Sequence, residues 1–158
     1  RGSLFPLVLI LAYLAGTVLV VAWISKAFSA HMLMSWFMGG FFQVFSFFKL
    51  LDLRGFAMAY RSYDVVARAL PAWGFVYPLL ELALGGACLT AWQPFVINVV
   101  TLVVMLVSAV GVLQSLLQKR AIRCACLGTV LNLPMTQVTL IEDLGMAAMA
   151  AFMLLSFA

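Results

Sequence analysis

Two thirds of the 158 residues are apolar, only 9% are charged, and the mean hydropathy is strongly positive. A soluble domain of this size cannot hide so much hydrocarbon, because roughly 55–60% of an ordinary folded exterior is apolar already; lipid is the expected solvent. The net charge of +4 calls for no nucleic-acid partner, since the basic residues lie between apolar runs, where they orient the chain and anchor it to anionic headgroups.

Residues 4–24 form a 21-residue run without a charge, long enough to cross a bilayer core of about 30 Å. The run lacks the small-residue cleavage pattern of a signal peptide. A second span is expected over 32–51, rich in aromatics, with Gly39 and Gly40 allowing a neighbouring helix to approach closely. From Asp52 to Leu70 apolar and charged residues alternate at helical spacing, which predicts an amphipathic helix lying in the interface; a plain basic loop is the alternative. The third span, 72–89, is entered through Pro71 and interrupted by Pro78 and Glu81. After a short turn, Thr90 to Pro94, a fourth follows over 95–117. Residues 118–137 carry Cys124 and Cys126 and are broken by Gly128 and Pro134. A fifth span over 138–157 places Glu142 and Asp143 in its first turns, where carboxylates favour the positive end of the helix dipole. The expectation is one all-α membrane domain, 1–158, without internal repeats.

Charge orients these spans. Lys49, Arg54, Arg61 and Arg68 follow the second, Lys119, Arg120 and Arg123 follow the fourth, and with five spans both connections share a side with Arg1. Eight of the nine basic residues are then cytoplasmic and Lys26 alone faces outward, a strong positive-inside bias. Cys124 and Cys126 are accordingly expected at the cytoplasmic face.

That pair carries the most specific chemistry in the chain. Thiolate is the reactive form, and Lys119, Arg120 and Arg123 should favour it. A disulfide across one intervening residue closes a strained ring, which suits exchange better than stapling a fold. Neighbouring thiolates also suit soft ions such as Cu(I) or Hg(II). Structural zinc fits less well, because four ligands are expected and, of the three cysteines and one histidine, the five-span topology puts the histidine on the opposite face. The plainest alternative is that both cysteines are small packed residues.

Three further features stand out. Glu81 lies about 15 Å into its span at 1.5 Å per residue, where a carboxylate is costly and marks a functional site by default, relieved by protonation, by Gln43 or by a polar group on a neighbouring helix. His31, Met32, Met34 and Met38 cluster near the outer end of the second span, and Met146, Met149 and Met153 share one face of the fifth. Those thioethers could conduct a soft cation toward the cysteines, or simply pack.

The stretches "FMGGFFQVFSFFKLLDLRGFAMAYRSYD", "YPLLELALG" and "KRAIRCACLGTVLNLPMTQVTLIEDLGMA" resemble the MauE/DoxX-like family of redox-associated membrane proteins, over about residues 36–155 of the chain. The likeness is most specific where Cys-x-Cys-x-Gly, Asn-x-Pro and an acidic pair occur together. It implies a DoxX-like four-helix bundle, here preceded by one extra span, in a bacterial inner membrane. It also implies thiol redox or disulfide maturation of partner proteins, or heavy-metal handling, with Cys124, Cys126, Gly128, Glu142 and Asp143 on the family's motif. Relatives fused to glutaredoxin-like or heavy-metal-associated domains suggest a partner of that kind or a thioredoxin-like one, and a chain starting at Arg1 reads as a trimmed version of such a protein. A homo-oligomer, or an accessory subunit without chemistry of its own, remains compatible with the resemblance.

Overall fold

The computed structural model describes residues 5–26, 28–61, 64–117 and 135–156, with side-chain surroundings over 5–26, 28–61, 64–114 and 140–156. Among the described residues the chain is all helix: α1 (Phe5–Ser25), α2 (Ala30–Leu51), α3 (Leu53–Arg61), α4 (Val65–Ala69), α5 (Trp73–Thr90), α6 (Pro94–Leu117) and α7 (Met135–Leu155). Helices are what such a composition permits, because in hydrocarbon every backbone N–H and C=O must find its partner within the segment. The five long ones begin and end within three residues of the apolar runs read from sequence. By length and apolarity α1, α2, α5 and α6 can each cross a membrane.

The most extensive packing pairs α2 with α5 and α6 with α7, and contacts of α5 with α6 and of α2 with α7 close these pairs into a four-helix bundle. Phe42, Phe45, Met38, Tyr77, Met105 and Met146 are fully buried at its centre. Lipid is the natural cover for the outward faces, where Phe75, Leu79, Val103, Val110 and Phe152 are exposed. Helix α1 lies against α2, with only Leu7 and Ala22 buried along its length.

Helices α2 and α5 meet through glycine. The Gly39 Cα faces the Gly85 carbonyl so closely that a Cβ on Gly39 would lie 2.9 Å from that oxygen and 2.7 Å from Leu89 Cγ. Near one end of this seam Ser35 Oγ donates to the Cys88 carbonyl at 2.6 Å, and further along Gln43 Nε2 donates to the Leu82 carbonyl at 3.1 Å. Helix α5 stops in a Schellman arrangement: Trp92 N–H donates to the Ala87 carbonyl and Ala91 N–H to that of Cys88, with Ala91 at φ 56° where glycine is usual.

Residues 52–70 depart from the single interfacial helix expected of them. They form two short helices, because Asp64 starts a new one: its Oδ2 accepts the N–H groups of Val66 and Ala67, each at 3.0 Å, satisfying donors that a continuous helix would have used. Phe56, Ala57 and Tyr60 turn the inner face of α3 onto the bundle, while Arg54, Met58 and Arg61 stay outside. With α3 on α5 and α4 on α6, the two helices cap the end of the bundle where α2 and α6 finish and α5 begins.

Candidate functional site

Beneath that cap lies a buried ionic cluster. Lys49, two residues before the end of α2, sends its ammonium inward to Glu81 Oε1 at 2.6 Å and Glu142 Oε2 at 3.0 Å, and all three side chains are at most 2% exposed. Asp143, beside Glu142 on α7, is equally buried. Lysine can make this reach because its four-carbon stem follows apolar surface while the ammonium travels to its partners. Aromatic rings line the ammonium's other side, with the Tyr77 ring 4.9 Å and the Phe56 ring 5.4 Å from Nζ, distances at which a ring face attracts a cation. Tyr60 stacks on Phe56 at 5.0 Å between centroids and leans on Tyr77 at 4.9 Å, so α3 and α5 together wall the cluster with aromatics.

The charges do not balance within the cluster. Among the described residues one ammonium meets two carboxyl groups, with the Asp143 carboxyl buried beside them, and the three if all ionised would leave two uncompensated negative charges out of reach of water. An isolated ionised carboxylate costs several kcal/mol in such a place even after relaxation. Glu81 Oε2 and Asp143 Oδ2 moreover find no hydrogen-bond partner among the described atoms, an uncommon state for buried polar oxygens. Glu142 lies close enough to Glu81 for the two carboxyls to interact through their side chains.

A second polar group links the cluster to the cap. The Tyr60 hydroxyl is 2.8 Å from Ser108 Oγ on α6 and lies beside the Asp64 carboxylate, and it also feels the charge of Asp143. Burial, reinforced by Asp64, holds the Tyr60 phenol well above its ordinary range, so the hydroxyl stays protonated and can donate. Burial likewise pushes the Asp64 carboxyl up, against the opposing pull of the Ala67 N–H and the Tyr60 hydroxyl. A carboxyl raised in the folded state contributes stability below the ordinary aspartate range and loses that contribution as pH rises through its folded value. Wild type should therefore lose stability relative to Asp64→Asn as pH rises from about 4, the ordinary aspartate range. Thermal denaturation of both proteins across pH measures it, and parallel curves would contradict the assignment.

Sequence reasoning singled out Glu81, Glu142 and Asp143, and the structure brings them together. Glu81 is eight residues into α5, about 12 Å at 1.5 Å per residue, and its partner is Lys49, whereas Gln43 is engaged with the Leu82 carbonyl. Helix α7 starts at Met135, three residues before the expected boundary, so Glu142 and Asp143 lie beyond its first turn and face the cluster. Lys49, Tyr60 and Asp64 were not read as site residues. The charge pattern places Lys49 with the connection's cations, yet it is 1% exposed; the available signal is a lone lysine inside an apolar, aromatic run in a chain whose next span holds a lone glutamate.

The thioether residues pack. Met38, Met146 and Met153 belong to the core, Met34 and Met149 lie partly buried against it, and Met32 is half-buried. His31 pairs with the Ser156 hydroxyl, joining the start of α2 to the end of α7. Cys88 is buried and free of any disulfide. Among the described residues no group of three or more His, Cys, Asp or Glu side chains is arranged to hold a metal ion. Lys119, Arg120, Arg123, Cys124, Cys126 and Gly128 lie outside the described residues.

No curated protein and no solved structure matches this chain. The model of the family described as methylamine utilisation protein MauE matches residues 4–156, almost the whole length, and the chain belongs to that family of redox-associated membrane proteins.

Proposed function

We propose that the chain is a five-span protein of the bacterial inner membrane, α1 preceding a DoxX-like bundle with α7 as the fifth span, that performs thiol–disulfide exchange in the maturation of partner proteins. Cys124 and Cys126 are the exchanging thiols. Family membership supports the redox class. The observation that carries the reading is the buried acidic pair Glu142 and Asp143: it stands on α7, two turns beyond the end of the cysteine-bearing segment 118–134, and supplies carboxyl groups for moving thiol protons. Even without Lys49, seven of the nine basic residues favour the side of Arg1 and the cysteines as cytoplasmic.

In the exchange, one thiolate of the pair attacks a sulfur of a partner's disulfide. A bond to the partner forms, the partner's S–S bond breaks, and its second sulfur leaves as thiolate. The other cysteine then displaces the partner, leaving a Cys124–Cys126 disulfide and a reduced partner. Two electrons pass to the partner, and the two protons released by the chain's thiols match the two that the partner's sulfurs take up. Lys119, Arg120 and Arg123 favour the attacking thiolate, and Gly128 lets the partner's backbone approach. A thioredoxin-like, glutaredoxin-like or heavy-metal-associated domain is the fitting partner, and the reverse direction uses the same steps.

The test is redox titration of the purified protein in nanodiscs against a thioredoxin-like dithiol. Wild type should show a reversible two-electron couple that both Cys124→Ser and Cys126→Ser abolish, the latter trapping a mixed disulfide. A couple that survives both substitutions overturns the reading. Copper or mercury bound after anaerobic purification, and lost in Cys124→Ser, would instead support soft-metal transport along Met34, Met38, Met146, Met149 and Met153. Labelling of Cys124 by an impermeant maleimide in unbroken cells would refute the cytoplasmic orientation.

A further inference from the structure

We propose that the Lys49, Glu81, Glu142 and Asp143 cluster is a proton-binding site that loads and unloads through Ser108, Tyr60 and Asp64 at the α3–α4 cap. This goes beyond the thiol reading and uses none of the cysteines.

Among the described residues a single ammonium is paired with two carboxyls and lies near a third, and a buried apolar interior tolerates that excess of acid only when further positive charge joins it. A metal ion is a poor candidate, because Lys49 Nζ already occupies the point on which Glu81 and Glu142 converge, at 2.6 and 3.0 Å. Protons need no such space. They also give hydrogen-bonding roles to Glu81 Oε2 and Asp143 Oδ2, the two buried carboxyl oxygens of the cluster that have no partner among the described atoms: a protonated oxygen becomes a donor, and an oxygen facing one becomes an acceptor.

The cluster is walled by Phe56, Tyr60 and Tyr77, and the α2 and α5 backbones are in contact beyond it at Gly39 and Gly85. Toward the cap, by contrast, polar groups follow one another: the Asp64 carboxylate at the start of α4, the Tyr60 hydroxyl beside it, and Ser108 Oγ at 2.8 Å from that hydroxyl. Asp143 interacts electrostatically with both Tyr60 and Asp64. A hydroxyl can accept a proton on one lone pair while donating its own, so Tyr60 and Ser108 pass protons without ionising. Asp64 is itself buried; its Oδ1, without a hydrogen-bond partner among the described residues, can receive a proton, while Oδ2 holds the N-cap. Among the described residues, the titratable and charged groups facing this route are Lys49 from α2, Tyr60 from α3, Asp64 and Arg68 from the α4 region, Tyr77 and Glu81 from α5, and Glu142 and Asp143 from α7.

The experiment is infrared spectroscopy of the whole protein in lipid nanodiscs, following the carboxylic-acid C=O band after transfer into heavy water. Wild type should show such a band near neutral pH, diminished in Glu81→Gln and Glu142→Gln, and shifting rapidly as deuterium enters. Tyr60→Phe preserves the ring stack and Asp64→Asn preserves a capping side chain, so both should fold. Each is expected to slow the shift about tenfold, equivalent to a barrier raised by roughly 1.4 kcal/mol, and Ser108→Ala should act in the same direction. Absence of a protonated-carboxyl band in wild type would overturn the proton-binding site. Unchanged exchange in both Tyr60→Phe and Asp64→Asn would overturn the route. No thiol substrate enters the measurement, so failure of the cysteine reading and failure of this one are separately visible.

Discussion

Lys49→Met is expected to destabilise the protein by about 3–5 kcal/mol, the cost of leaving a buried ionic partner uncompensated. Methionine fills much the same volume and suits the apolar stem, so the loss reports the charge at Nζ, which otherwise meets Glu81 at 2.6 Å and Glu142 at 3.0 Å. Retention of folded protein on heating in detergent, read by size-exclusion chromatography, measures the effect. The triple variant Lys49→Met, Glu81→Gln, Glu142→Gln should recover most of it, because a buried ion pair replaced as a whole by neutral groups is often no less stable. A Lys49→Met protein as heat-resistant as wild type would show that the ammonium is not what stabilises these carboxyls.

Gly39→Val carries the second large effect. Even the first carbon of a side chain would lie 2.9 Å from the Gly85 carbonyl, a backbone atom that cannot rotate aside, so α2 and α5 must separate. Overpacking of this kind typically costs about 1–3 kcal/mol. The consequence extends to the ionic cluster, because α2 carries Lys49 and α5 carries Glu81: the carboxyl band of the infrared experiment should shift as well as the melting temperature. Gly86→Ala is the control, since a Cβ there meets nothing within 4 Å and alanine favours helix by up to about 1 kcal/mol over glycine. Equal stability of Gly39→Val and Gly86→Ala would contradict the close seam.

The helices were legible because the demands of lipid are written one residue at a time: a long uncharged run has to be helical. Glu81 was conspicuous for the same reason. Its partner was not, because pairing across helices leaves no trace in the periodicity of either, and Lys49 stands where an apolar run meets a charged connection. The break at Asp64 was hidden too, since residues 52–70 carry a helical pattern on both sides and only the cap to Val66 and Ala67 reveals a second start. For Glu142 and Asp143 a boundary three residues late put an inward-facing pair nearer the start of the helix, among its first turns, than it lies.

Helix α1 is docked on one neighbour and buries two of its 21 residues. Its sequence has no polar side to prefer, so little fixes its rotation or tilt, and a bilayer of different thickness can be met by leaning this one rod. The ionic cluster, held by α2, α5 and α7, need not feel that adjustment. Lipid fit and internal charge are thereby assigned to separate parts of one small chain.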